Sequence, residues 1–249
     1  MTVELYDPTK AAAAPSGNLT YRGGPLLTSV QIVALYMQDF PYMAEMNTFL
    51  TYLVGSDVMD NLAEYSVPGQ SIGHGAFLGS QVVLHTSVPA AASRRHRRPH
   101  KPASRTLDDA HIRALIGSLL TSGAIPAPDE ETLYILYPDP GTTVTDGTDA
   151  SCQVFCGYHD SFAYGTHGVY YAVLPYPNCQ GCLGPHATFE ALTGTTTHEV
   201  CEAITDPVPG SGWYDEQNGE IGDICAWNFR TSSVFSVQTE WSNAKHACI

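Results

Sequence analysis

Two hydrophobic periods alternate along the first half of this chain. Leu26–Tyr36 mixes β-branched and other apolar residues behind Gly23-Gly24-Pro25 and predicts a buried strand. Met43, Met46, Phe49, Leu50, Leu53 and Val54 recur at helical spacing, so Pro41–Val54 predicts a helix that stops at Gly55. Asp57–Tyr65 predicts a second helix ahead of Pro68-Gly69, and Gly73–Val88 alternates enough for a strand. Ile112, Leu115, Ile116, Leu119 and Leu120 share one face of a helix over Asp108–Thr121, and Glu131–Tyr137 reads as a further strand.

The pattern then loosens. From Pro138 to Pro185 Gly, Pro, Tyr and Cys dominate, and hairpins and loops are expected, with Tyr170–Leu174 as a strand. Thr188–Asp206 predicts a helix that Pro207 must end. Turns at Pro209–Gly212, a strand near Ile221 and a last strand over Val234–Glu240 follow. No repeat or linker separates two units. The expectation is one α/β domain with a mixed sheet over residues 18–249, after a loose lead-in over residues 1–17.

Charge sharpens this picture. The net charge is −14, yet six of the eleven basic residues (Arg94, Arg95, Arg97, Arg98, Lys101, Arg105) fall between positions 94 and 105. Residues 93–106 are therefore expected to form an exposed basic insertion. The rest of the surface is acidic enough to repel nucleic acid and anionic membranes. No apolar run reaches the ~20 residues of a membrane span, and no basic-then-apolar leader opens the chain. No Gly-rich phosphate loop and no G-x-S-x-G elbow is present, which argues against a nucleotide site and a serine hydrolase.

The cysteines lie only in the last hundred residues: Cys152 and Cys156, Cys179 and Cys182, then Cys201, Cys225 and Cys248. A zinc knot and a set of disulfides both fit such spacing. Disulfides are the preferred reading, stapling the loop-rich half in an oxidising compartment.

The candidate chemistry centres on His198-Glu199-Val200-Cys201-Glu202. On a helix, His198 and Glu202 lie one turn apart on one face and can hold one ion. Glu199 stands where such sites place the carboxylate that takes a proton from water. Zinc proteases carry a second His where this chain has Glu202. Downstream, Glu220 and Asp223 sit in apolar, Gly-rich sequence, where buried acids need a partner such as a metal ion. Oxygen-rich ligands suit zinc first, with calcium and manganese compatible. His159, in a Tyr-rich loop beside Cys156, is a candidate for the missing nitrogen ligand. His167 and His186 rank below it, and His74 and His85 read as structural. The expectation is a zincin-like zinc-dependent hydrolase, with a peptidase first. His198, Glu202 and Asp223 would hold the ion, His159 or Glu220 would complete the shell, and Glu199 would be the base. The alternative is an exported binding protein whose metal only braces the fold.

Taken in order, His198-Glu199-x-x-Glu202-Ala203-x-Thr205-Asp206-Pro207, Trp213-Tyr214 and Glu220-Ile221-x-Asp223-x-Cys225 resemble the EXORDIUM / phosphate-induced protein 1 family and its microbial relatives. Leu19-Thr20-Tyr21-x-Gly23-Gly24-Pro25-Leu26-Leu27, Cys152-x3-Cys156-Gly157-x-His159, Cys179-x2-Cys182 and Cys248 extend the resemblance over most of the chain from about residue 18, the basic insertion excepted. The resemblance implies an exported, cell-wall-associated protein with a peptide or wall component as its partner. It also implies that Cys225 pairs with Cys248, that the four earlier cysteines pair among themselves, and that Cys201 is the odd thiol.

Overall fold

The computed structural model describes residues 2–7, 15–87 and 105–249. Its centre is a six-stranded sheet of β1 (Thr2–Glu4), β2 (Gln31–Met37), β3 (Ala76–Val83), β4 (Thr132–Tyr137), β5 (Phe155–Tyr164) and β6 (His167–Val173), ordered β1-β5-β6-β4-β2-β3. Strands β6, β4, β2 and β3 run parallel, and β5 returns antiparallel to β6. On the outer edge of β5, β1 lies antiparallel. The helices of more than one turn are α1 (Met43–Leu53), α2 (Asp57–Leu62), α3 (Asp109–Thr121) and α4 (Thr188–Thr205), and a single helical turn, Gln180–Leu183, precedes the last.

Every residue of β4 is buried, as expected for a parallel strand covered on both faces. Ile32, Ala34, Tyr36, Leu133, Ile135 and Tyr137 face a core shared with α1, α2 and α4. The alternate residues Val33, Leu35, Tyr134 and Leu136 face Ile112, Leu115 and Ile116 of α3. The fold is therefore a mixed α/β sheet between two helical layers.

Several expected boundaries move. Leu26, Leu27 and Val30 are buried, but the strand begins only at Gln31, because the Leu27 N–H is engaged by the Ile204 carbonyl at 3.0 Å. An apolar run marks burial and does not by itself mark a ladder. The stretch read as hairpins and loops contains the ten-residue strand β5, so His159 lies in a strand and not in a loop. Its first five residues are buried in succession, which erased the alternation that marks a half-exposed strand. Ile221 is in no strand, and a single 3-10 turn, Asp223–Cys225, follows it. Thr2–Glu4, read as loose lead-in, pairs with β5. Residues 93–104 of the basic insertion lie outside the described residues, and Arg105 and Thr106 already belong to a strand, Arg105–Asp108, paired with Thr142–Asp146.

Three disulfides join Cys152 to Cys179, Cys156 to Cys182 and Cys225 to Cys248, and Cys201 is a buried free thiol. Among the described residues no helix is long and apolar enough to cross a membrane.

Candidate metal centre

Helix α4 is buried on all sides from Ala191 to Thr205. Its polar side chains are absorbed locally: Thr197 and Thr205 hydroxyls donate to the Thr193 and Cys201 carbonyls at 2.8 and 2.9 Å, and Thr193 reaches the Ser236 carbonyl at 2.6 Å. Asp206 ends the helix by accepting N–H groups of Gly210, Ser211 and Gly212 at 2.6, 2.9 and 2.6 Å. This fixes a helix whose side chains His198, Glu199 and Glu202 are fully enclosed.

Glu202 lies between two histidines. Its Oε1 is 2.9 Å from His198 Nε2, and its Oε2 is 3.6 Å from His159 Nδ1. Asp223 Oδ1 is 3.7 Å from His198 Nε2, and Glu220 Oε1 is 3.6 Å from His159 Nε2. Two overlapping groups result, His198–Glu202–Asp223 and His159–Glu202–Glu220, each with ligand atoms close enough to hold one ion. Both Glu202 oxygens, His198 Nε2 and Glu199 Oε1 are buried without a hydrogen bond. Facing atoms that approach yet do not bond each other are what a cation between them would use.

The second histidine is well anchored. A carbonyl only accepts, so His159 Nε2 carries a proton and donates to the Asp206 carbonyl at 3.1 Å. Its Nδ1 is turned to Glu199 Oε2 at 3.2 Å. At His198 the arrangement differs. Gln238 Nε2 donates to His198 Nδ1 at 2.8 Å and to the Gly222 carbonyl at 3.0 Å, while its Oε1 accepts the Trp227 N–H at 3.1 Å. Gly222 is pressed against the ring, where a Cβ would come within 2.8 Å of it.

The electrostatics follow from burial and crowding. Burial works against a charged His198, but Glu202 outweighs it and raises the ring well above its ordinary range, while the Gln238 N–H resists a second proton at Nδ1. Glu202 also pays desolvation, yet His198 brings it down to about 2. Burial, then the Glu202 charge, lifts Asp223 to about 7 and Glu220 well above the carboxylate range. Burial raises Glu199, opposed by His159. Four acids packed together in this way favour a divalent partner.

Asp223 is the opening of this cluster. Its side chain is 18% exposed and faces a cavity of about 380 Å³ lined by Thr2, Glu4, Gln217, Asn218, Gly219 and Ala226. Elsewhere, Asp39, His85 and Asp139 also converge, but Arg105 already lies 3.2 Å from Asp139 and supplies the counter-charge. His74 pairs with Asp60 at 2.9 Å, and His186 stacks on Phe229.

Thus four expected ligands, His198, Asp223, His159 and Glu220, meet around the fifth, Glu202, with Glu199 beside them. Sequence reasoning missed Gln238, Gly222, the Asp206 carbonyl and Glu240, which is buried near the site and raised well above the carboxylate range by burial. A buried acid after an alternating strand was the only available signal for Glu240, and nothing marked Gln238. No protein-family model, curated protein or solved structure matches this chain.

Proposed function

We propose that the chain is a metal-dependent hydrolase, exported to an oxidising compartment, with a peptide bond as the first substrate to test. The observation that supports this reading most is Glu202, enclosed between two histidines with both oxygens unbonded and with Asp223 opening toward a cavity. His198, Glu202 and Asp223 would hold the ion, zinc first by the nitrogen and oxygen donor set, with calcium or manganese compatible. A bound ion would supply Lewis acidity, polarising a substrate oxygen and acidifying water.

The protein's own part is proton handling. Glu199, raised by burial, would serve as the base. His159, fixed by the Asp206 carbonyl, orients Glu199 through Nδ1. For His198 to ligate through Nε2, its proton must move to Nδ1, and Gln238 must turn its amide to accept it. Export is supported by the three disulfides, which suit an oxidising compartment.

A second reading has its own observation. His159 already has the Nε2–H···O=C anchor that usually accompanies ligation through the other nitrogen, and Glu202 and Glu220 beside it are wholly buried. An ion there would be closed off and would brace an exported binding protein. Zinc titration of His198→Ala and His159→Ala, together with hydrolysis of a peptide library with and without chelator, decides between them. Catalysis requires His198→Ala to lose the ion and the activity. Retention of zinc by His198→Ala and loss by His159→Ala selects the brace.

A further inference from the structure

The strand β1 is three residues long, yet residues 2–6 are held by several separate elements. Thr2 pairs with Tyr158, Val3 with Gly157 and Glu4 with Phe155. Val3 is 2% exposed, seated against the Cys156–Cys182 disulfide with Leu5 and Trp227 alongside. Trp227 Nε1 donates to the Glu4 carbonyl at 3.0 Å, and the Tyr6 N–H donates to the Gly181 carbonyl at 2.7 Å. Toward its N-terminal end β1 steps along β5 from Phe155 to Tyr158, in the direction of His159. At the same place the face of β5 touches the proposed base: a Cβ on Gly157 would stand 2.9 Å from Glu199 Oε1. Thr2 and Glu4 also wall the cavity that reaches Asp223.

We propose that this edge of β5 is a seat for an extended peptide, and that β1 occupies it in cis. The backbone ladder fixes the direction of a bound strand whatever its sequence, and the pocket under Val3 selects a small apolar side chain. Trp227 and Gly181 hold the next residues. A peptide lying in this direction would carry its backbone past His159 and Glu199. That last consequence rests on the hydrolase reading, whereas the seat does not. The chain as it stands therefore blocks its own peptide site.

The test uses the full chain throughout and is run in chelator. Val3→Asp places a carboxylate in the apolar seat and should release β1. A fluorescein-labelled Thr-Val-Glu-Leu-Tyr peptide should then bind at least ten times more tightly to Val3→Asp than to the parent, read by anisotropy. Replacing the peptide's Val by Asp should abolish binding, and bound peptide should slow hydrogen exchange at the β5 amides between residues 155 and 158 that point toward β1. A folded Val3→Asp chain that binds no peptide, or binds it with those amides unprotected, overturns the proposal. If Val3→Asp does not fold, the parent chain decides. The same peptide with a benzophenone in place of its Tyr, in excess, must photolabel Trp227 or residues 181–184, which the Tyr6 ring meets in β1's own pose, and labelling elsewhere or nowhere overturns the seat. Because no metal is present, a failed hydrolase reading leaves these results standing, and a failed seat leaves zinc binding and Glu199 dependence untouched.

Discussion

Gln238 Nε2 donates to Nδ1 of His198 across 2.8 Å, which places the single proton of a neutral imidazole on the nitrogen that faces Glu202. Turning the amide over would sacrifice its bonds to Trp227 and Gly222, at about 1 kcal/mol each. Gln238 therefore sets the threshold for a metal on His198.

Gln238→Glu should lower that threshold, since a carboxylate accepts the Nδ1 proton outright. Zinc affinity, measured against a chelating dye, should rise about tenfold, the scale of such supporting contacts. Unchanged affinity would remove His198 from the ligand set.

Glu199→Gln should keep zinc and the melting temperature but lower hydrolysis about 100-fold or more, because the amide cannot accept a proton. Equal activity in the two chains would end the role assigned to Glu199.

The metal-free chain should lose stability as pH rises. Asp223 ionises at about 7 when folded and near its ordinary 3.8 when unfolded, so between these values the folded state binds more protons. Glu220, also raised, acts in the same direction. Glu202 opposes them only between about 2 and its ordinary 4.5. Thermal melts in chelator should give a lower Tm at pH 8 than at pH 5, and zinc should recover more at pH 8. A Tm that climbs over this range contradicts the buried acids.

Gly222→Ala should cost both metal and stability, because its Cβ would sit 2.8 Å from the His198 ring. A loss of roughly 1–3 kcal/mol is expected for such overpacking. Denaturant melts of the chelated protein measure it apart from zinc.

Much of the site was legible because helix spacing is a local property: His198, Glu199 and Glu202 needed only one turn of α4. Glu220 and Asp223 announced themselves as acids in apolar sequence. His159 was visible as chemistry but not as a strand, since the consecutively buried residues of β5 lack a period. Gln238 was illegible because its role arises from Trp227, Gly222 and His198, brought together only by the fold. The parallel strands β2 and β4 could be read from their apolar runs, while β1, at three residues, is too short to carry a pattern.

All three disulfides fall in the half of the chain that supplies β5, α4 and the Asp223 turn, and none ties the β2–β3 half. Material made in a reducing cytosol can therefore look well folded by helix content and still be unassembled where the histidines meet. Closing a loop of this size contributes about 3 kcal/mol, and three such closures together are comparable to the whole stability of an ordinary domain, about 5–15 kcal/mol. Recombinant protein should be produced by secretion or oxidative refolding, and a thiol count should precede any assay that reports inactivity.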